Sequence, residues 1–130
     1  MEKTVMIDNR PVRFKATGGI GYRYKAQFGR EYLADAAALE EFSESAAEVK
    51  RKVKRPDGKI EFVTETRYDY TKLSLETLYN LLWTMAKTAD ETIPPPQEWL
   101  DSFDTFPVLD IYLQVQDIIT ANLKVDPKNA

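Results

Sequence analysis

The sequence predicts an α+β fold: an amino-terminal β-hairpin packed on a bundle of about four helices, with a second, exposed hairpin around residues 49–67. Three observations predict it. Short β-favouring runs flank a turn at the start of the chain, and apolar residues at helical spacing fill most of the remaining sequence. Between them, a basic run leads through Pro56-Asp57-Gly58-Lys59 into another β-favouring run. A chain of 130 residues suits one domain, spanning 1–130, around one core.

The first hairpin is read from Val5-Met6-Ile7 and Val12-Arg13-Phe14-Lys15-Ala16, separated by Asp8-Asn9-Arg10-Pro11. Asp and Asn stabilise turns by bonding their own backbone, and Pro11 is expected to close the loop. Alternation puts Val12, Phe14 and Ala16 on one face and Arg13 and Lys15 on the other. Two strands are not stable alone, so this face must lie on something apolar.

Thr17-Gly18-Gly19-Ile20-Gly21 breaks the chain before a helical region. The glycines do not make a phosphate loop. No Gly-Lys-Ser/Thr closes a Walker pattern, and Tyr24 stands where a dinucleotide pattern needs its third glycine. From about Tyr22 to Ser45, Tyr24, Phe28, Tyr32, Ala36, Leu39 and Phe42 form one apolar stripe, interrupted at Gly29 by a kink or a helix boundary. Lys50, Arg51, Lys52, Lys54 and Arg55 then run into the turn, and Ile60 to Thr66 favours a strand, so residues 46–70 read as an exposed hairpin, with a mobile loop as the alternative. Glu61, Glu65 and Asp69 are expected to offset the basic run by cross-strand pairing.

The central helix begins at Ser74, a good N-cap, with Glu76 in its first turn. Leu75, Leu78, Tyr79, Leu81, Leu82, Trp83, Met85, Ala86 and Ala89 cover more than half its circumference, leaving Thr77, Asn80, Thr84 and Lys87 as a polar strip. Ile93-Pro94-Pro95-Pro96 is a stiff connector to a short helix, Gln97 to Phe103, that presents Trp99, Leu100 and Phe103. Thr105 or Asp104 is expected to cap a last helix with Pro107 in its first turn. Its inward stripe is Val108, Ile111, Tyr112, Val115, Ile118, Ile119 and Leu123. Leu109 and Leu113 fall on the opposite side, among Gln116, Thr120 and Lys124, and the tail Val125 to Ala130 reads as frayed.

Composition narrows the function. Hydrophobic residues make up 43% of the chain and charged ones 30%, a globular balance. There is no cysteine and no histidine, which removes thiolate chemistry, zinc sites built on those residues and the usual proton carrier near neutrality. The carboxylates Glu98, Asp101, Asp104 and Asp110 are the remaining candidate constellation. They lack the alternating oxygens and glycine of a calcium loop and read as a polar face plus a cap. No cofactor, metal or catalytic residue is therefore expected, and the chain is expected not to be an enzyme. Met1 to Thr4 leads into only a brief apolar run, and no stretch is long enough to span a bilayer, so the expectation is a cytoplasmic protein without a membrane partner. A net charge of -3 argues against nucleic acid as the main partner. A small nucleic-acid-binding or regulatory protein using residues 50–55 is the alternative.

Tyr24-Lys25-Ala26-Gln27-Phe28-Gly29-Arg30-Glu31, after a strand-turn-strand, resembles the start of tail assembly chaperones from phages and prophages with long non-contractile tails. The run Leu78 to Asp90, then Ile93-Pro94, then Glu98-Trp99-Leu100-Asp101-Ser102-Phe103, is similar to that family's characteristic stretch. Residues 46–70 have no counterpart in it. The resemblance implies a non-catalytic helper in the host cytoplasm, absent from the mature virion. Such a helper binds the tape-measure protein and helps recruit tail-tube protein; homo-oligomerisation is left open. On this reading Leu109 and Leu113, one turn apart, form a ridge that a tape-measure helix straddles. The competing expectation is that the hairpin or residues 46–70 cover them.

Overall fold

The fold is α+β, and the computed structural model describes residues 1–123. Lys124 and the tail Val125 to Ala130 lie outside the described residues. The described residues form two compact units: 1–37 together with 74–123, and 38–73.

The first unit opens with β1 (Glu2–Ile7) and β2 (Arg10–Lys15), paired antiparallel with Val5 opposite Val12 and Ile7 opposite Arg10. The turn is tighter than the sequence suggested, because Asp8 and Asn9 both take positive φ (52° and 61°). Two such residues make the primed turn whose twist matches the strands, so Arg10 and Pro11 join β2 instead of the loop. Pro11 faces Met6, next to the closing Ile7–Arg10 pair, where its missing N–H costs no ladder bond. Val5, Ile7 and Phe14 are buried on the inner face.

The glycine cluster passes into α1 (Ile20–Phe28), which stops at Gly29 in the left-handed conformation (φ 70°), with its N–H bonded to the Lys25 carbonyl. The apolar stripe is thus carried by two helices, α1 and α2 (Tyr32–Glu44). The helix count rises to five, since α3 (Leu75–Ala89), α4 (Pro96–Asp101) and α5 (Val108–Ala121) complete the chain's helices among the described residues.

Ser74 caps α3, its hydroxyl accepting from the Thr77 N–H at 3.3 Å. The helix is the centre of this unit and packs against β2, α1, α4 and α5. That crowding overturns the polar strip: Thr77, Asn80 and Thr84 are buried with the leucines, while Leu75 is exposed. Thr84 fits inside because its hydroxyl donates to the Asn80 carbonyl one turn back, at 2.7 Å. Lys87 turns its ammonium to the carbonyls of Glu91 and Ile93, beyond the helix end. The Trp83 indole N–H donates to the Pro94 carbonyl at 2.9 Å, which ties α3 to the proline connector. Trp99 packs edge-on against Phe103 and Phe106. Pro107, not Thr105 or Asp104, is the N-cap of α5, and no side chain caps it. The Asp104 N–H instead donates to the Asp8 carboxylate in the first hairpin turn.

The second unit carries β3 (Ala47–Lys54) and β4 (Ile60–Arg67), the exposed hairpin expected from the sequence. Pro56-Asp57 make its turn and Gly58 (φ 86°) supplies the left-handed residue. The Gly58 N–H donates to the Arg55 carbonyl, and the Arg55 N–H to that of Lys59. At its base Phe42, from the end of α2, is fully buried and stacks on Tyr68, with Tyr70 tilted alongside.

Candidate functional site

Helix α5 turns Ile111, Tyr112, Val115, Ile118 and Ile119 inward, all buried. Leu109 and Leu113 lie on the other side, as the helical period requires. Leu113 keeps 37% of its surface in solvent, and Leu109 is half-buried. Strand β1 reaches this helix through Lys3, whose ammonium sits 2.9 Å from the Asp117 carboxylate and 3.2 Å from the Gln114 carbonyl. The Lys3 ammonium holds the Asp117 carboxyl below the usual carboxylate range. That contact fastens one flank of α5 and leaves Leu113 uncovered.

The carboxylates do not converge. Glu98, Asp101, Asp104 and Asp110 are all exposed, and Asp101 accepts from Gln97 one turn earlier on α4. Among the described residues no group of three or more carboxylates could hold a metal ion. Nor is any helix among them long and apolar enough to cross a membrane.

A buried polar group that sequence reasoning missed joins α1 to α2. The Tyr24 hydroxyl donates to Asp35 Oδ2 at 2.5 Å, and Arg30 grips both oxygens of the same carboxylate at 2.7 Å. The Arg30 contact holds the Asp35 carboxyl below its ordinary range, and burial with the Asp35 bond pushes the Tyr24 phenol well up. Both carboxylate oxygens are bonded, so this is a clamp across the Gly29 break. The signal was present as Arg30 and Asp35 on either side of the start of the second helix.

A groove of about 390 Å³ runs between β2 and the connector, with Arg10, Ile93, Pro94, Trp99 and Phe103 in its lining. Its cations are already engaged. The Arg10 guanidinium lies 4.0 Å above the Phe103 ring and donates to the Ser102 hydroxyl, while Arg13 donates to the Ala89 carbonyl at the end of α3.

The expected cross-strand pairing offsets the basic run only in part. Strand register puts Arg51, Arg55, Glu61 and Glu65 on one face of the β3–β4 hairpin, with Val49, Val53 and Val63. There Arg51 pairs with Glu65 at 3.5 Å and Arg55 with Glu61 at 3.6 Å. The opposite face carries Lys50, Lys52 and Lys54, directly across from Thr64, Phe62 and Ile60. The glutamates therefore offset the arginines and leave the lysines unpaired among the described residues.

No protein-family model, no curated protein and no solved structure matches this chain.

Proposed function

We propose that this protein is a non-enzymatic tail assembly chaperone of a phage or prophage with a long non-contractile tail. It acts in the host cytoplasm, binds the tape-measure protein, helps recruit tail-tube subunits, and is absent from the finished virion. The reading rests on the resemblance of residues 24–31, 78–90 and 98–103 to that family, stretches that supply much of the buried frame of the first unit, Tyr24, Leu81, Trp83 and Trp99 among them. The observation that carries the binding role is Leu113. It is a large apolar side chain left in solvent, with Leu109 one turn before it, on the outer side of a helix whose inner side is fully packed. An amphipathic helix laid across that ridge would remove both leucines from water.

Co-expression with the tape-measure protein tests this. The parent protein is expected to keep that partner soluble. Leu113→Glu, at an exposed position, is expected to lose most of that effect with an unchanged circular dichroism spectrum, and Leu109→Glu/Leu113→Glu to lose it entirely. If the folded variants protect the partner as well as the parent does, the ridge is not the site. If the parent fails to protect it, the chaperone reading itself falls.

A further inference from the structure

We propose that the lysine face of the β3–β4 hairpin binds single-stranded nucleic acid, a role that stands apart from the chaperone reading. Pairing register sorts the charges of this ribbon by type. Both glutamates of β4 lie on the arginine face, so their negative charge is consumed there. The other face presents Lys50, Lys52 and Lys54 in one row, with Glu48 alone at its base. Beside the row stand Phe62 and Ile60, 62% and 64% exposed, and the hydroxyls of Thr64 and Thr66.

Each feature matches one part of a single strand. Alternate residues of a β-strand lie about 7 Å apart, so the three ammonium groups recur at a spacing that successive phosphates of an extended strand can follow. Phe62 offers a largely exposed ring, with the Lys52 ammonium over it at 6.0 Å from its centre, on which an unstacked base can lie. A duplex keeps its bases stacked and has no use for that ring. An anionic membrane is disfavoured by the hairpin tip, Pro56-Asp57-Gly58-Lys59, which is polar and cannot enter the acyl region. An acidic protein is disfavoured because lysine is depleted at the centre of protein interfaces. The net charge of the chain, -3, keeps the site weak and local, confined to this ribbon.

Fluorescence anisotropy of a labelled oligothymidylate of roughly 15 nucleotides, with the full chain, tests the assignment. Three lysine–phosphate contacts on a single strand give a slope of log affinity against log salt of about -2, or roughly 20-fold weaker binding between 50 and 200 mM salt. Lys50→Gln/Lys52→Gln/Lys54→Gln is expected to abolish that salt dependence along with most of the binding. Phe62→Leu should weaken binding about five- to hundredfold at unchanged slope, and Phe62→Trp should preserve it. Arg51→Gln/Glu65→Gln, on the opposite face and neutral in net charge, should leave binding as it is. The proposal is overturned if the parent chain does not bind the oligonucleotide at 50 mM salt. It is equally overturned if Phe62→Leu binds like the parent, or if poly-glutamate or phosphatidylserine vesicles compete as well as the oligonucleotide itself.

Discussion

Replacing Asp35 by alanine would leave the fully buried Tyr24 hydroxyl without its acceptor and Arg30 without its partner. Stranding one buried donor costs about 1–3 kcal/mol, which chemical denaturation of the variant should report. The same group shapes the pH dependence from both ends. Asp35 has a folded-state pKa below its unfolded value near 4, so its stabilisation is present above about pH 4 and is lost as pH falls through the depressed value. Tyr24 has a folded-state pKa above its unfolded value near 10, so its contribution is complete below about pH 10 and is lost as pH rises. Asp35→Asn is expected to flatten the acid limb of stability against pH, and Tyr24→Phe the alkaline limb. Asp90, which accepts from the Thr92 hydroxyl and N–H, and Asp117 beside Lys3 also sit low. The acid limb should therefore shrink in Asp35→Asn without disappearing.

Among the elements, turns and aromatic anchors divide the work. Asn9 occupies the left-handed region, which a β-branched residue enters only with strain, so Asn9→Val should destabilise the first unit by about 1–2 kcal/mol. Asn9→Gly should be close to neutral, and thermal melts of the pair separate backbone strain from lost side-chain contacts. Trp83 and Trp99 are both nearly buried, as expected of core residues that link α3 to the segment after the prolines. Truncation of either to alanine is predicted to cost about 3–5 kcal/mol. Trp83→Phe keeps most of the ring but removes the donor to the Pro94 carbonyl, and about 1 kcal/mol should go with it. Variants that melt with the parent would mean that these rings are not anchors.

At the scale of the whole chain, local stability should track the division into two units. Helix α3 has its central turns, Thr77 to Ala86, enclosed by β2, α1, α4 and α5, so the amides there should open only with global unfolding. Strands β3 and β4 pair only with each other, and most of their side chains are exposed. A lone hairpin is marginal in water. Hydrogen exchange should therefore show the 47–67 amides exchanging orders of magnitude faster than those of 78–86, and equal protection in both would mean that the hairpin is held as firmly as the core helix.

Periodicity and turn chemistry were enough to read the first hairpin, the Ser74 cap, the interruption at Gly29 and the inward stripe of α5 from Ile111 to Ile119, because each is encoded within a few consecutive residues. Val108 and Leu123, at the ends of that stripe, are only half-buried. For the second hairpin, periodicity and turn chemistry left a loop as the alternative. They were also enough to put Leu113 on the outer side of its helix, since a helical period relates side chains on one element without reference to any other. The fate of Thr77, Asn80 and Thr84 depended on how many neighbours surround α3, which no property of that helix states. Arg10 and Pro11 entered β2 because two adjacent residues took positive φ, a choice made by the twist of the paired strands. Asp104 was drawn to Asp8 across 96 residues of sequence, leaving Pro107 to start α5. The sorting of the hairpin charges came from register: a basic run and three carboxylates can be counted along the chain, but strand pairing decides which of them share a face. Local chemistry determined what each segment becomes. Only the tertiary structure decided which polar groups are closed off from water and which charges remain unneutralised, because burial and pairing belong to contacts between segments.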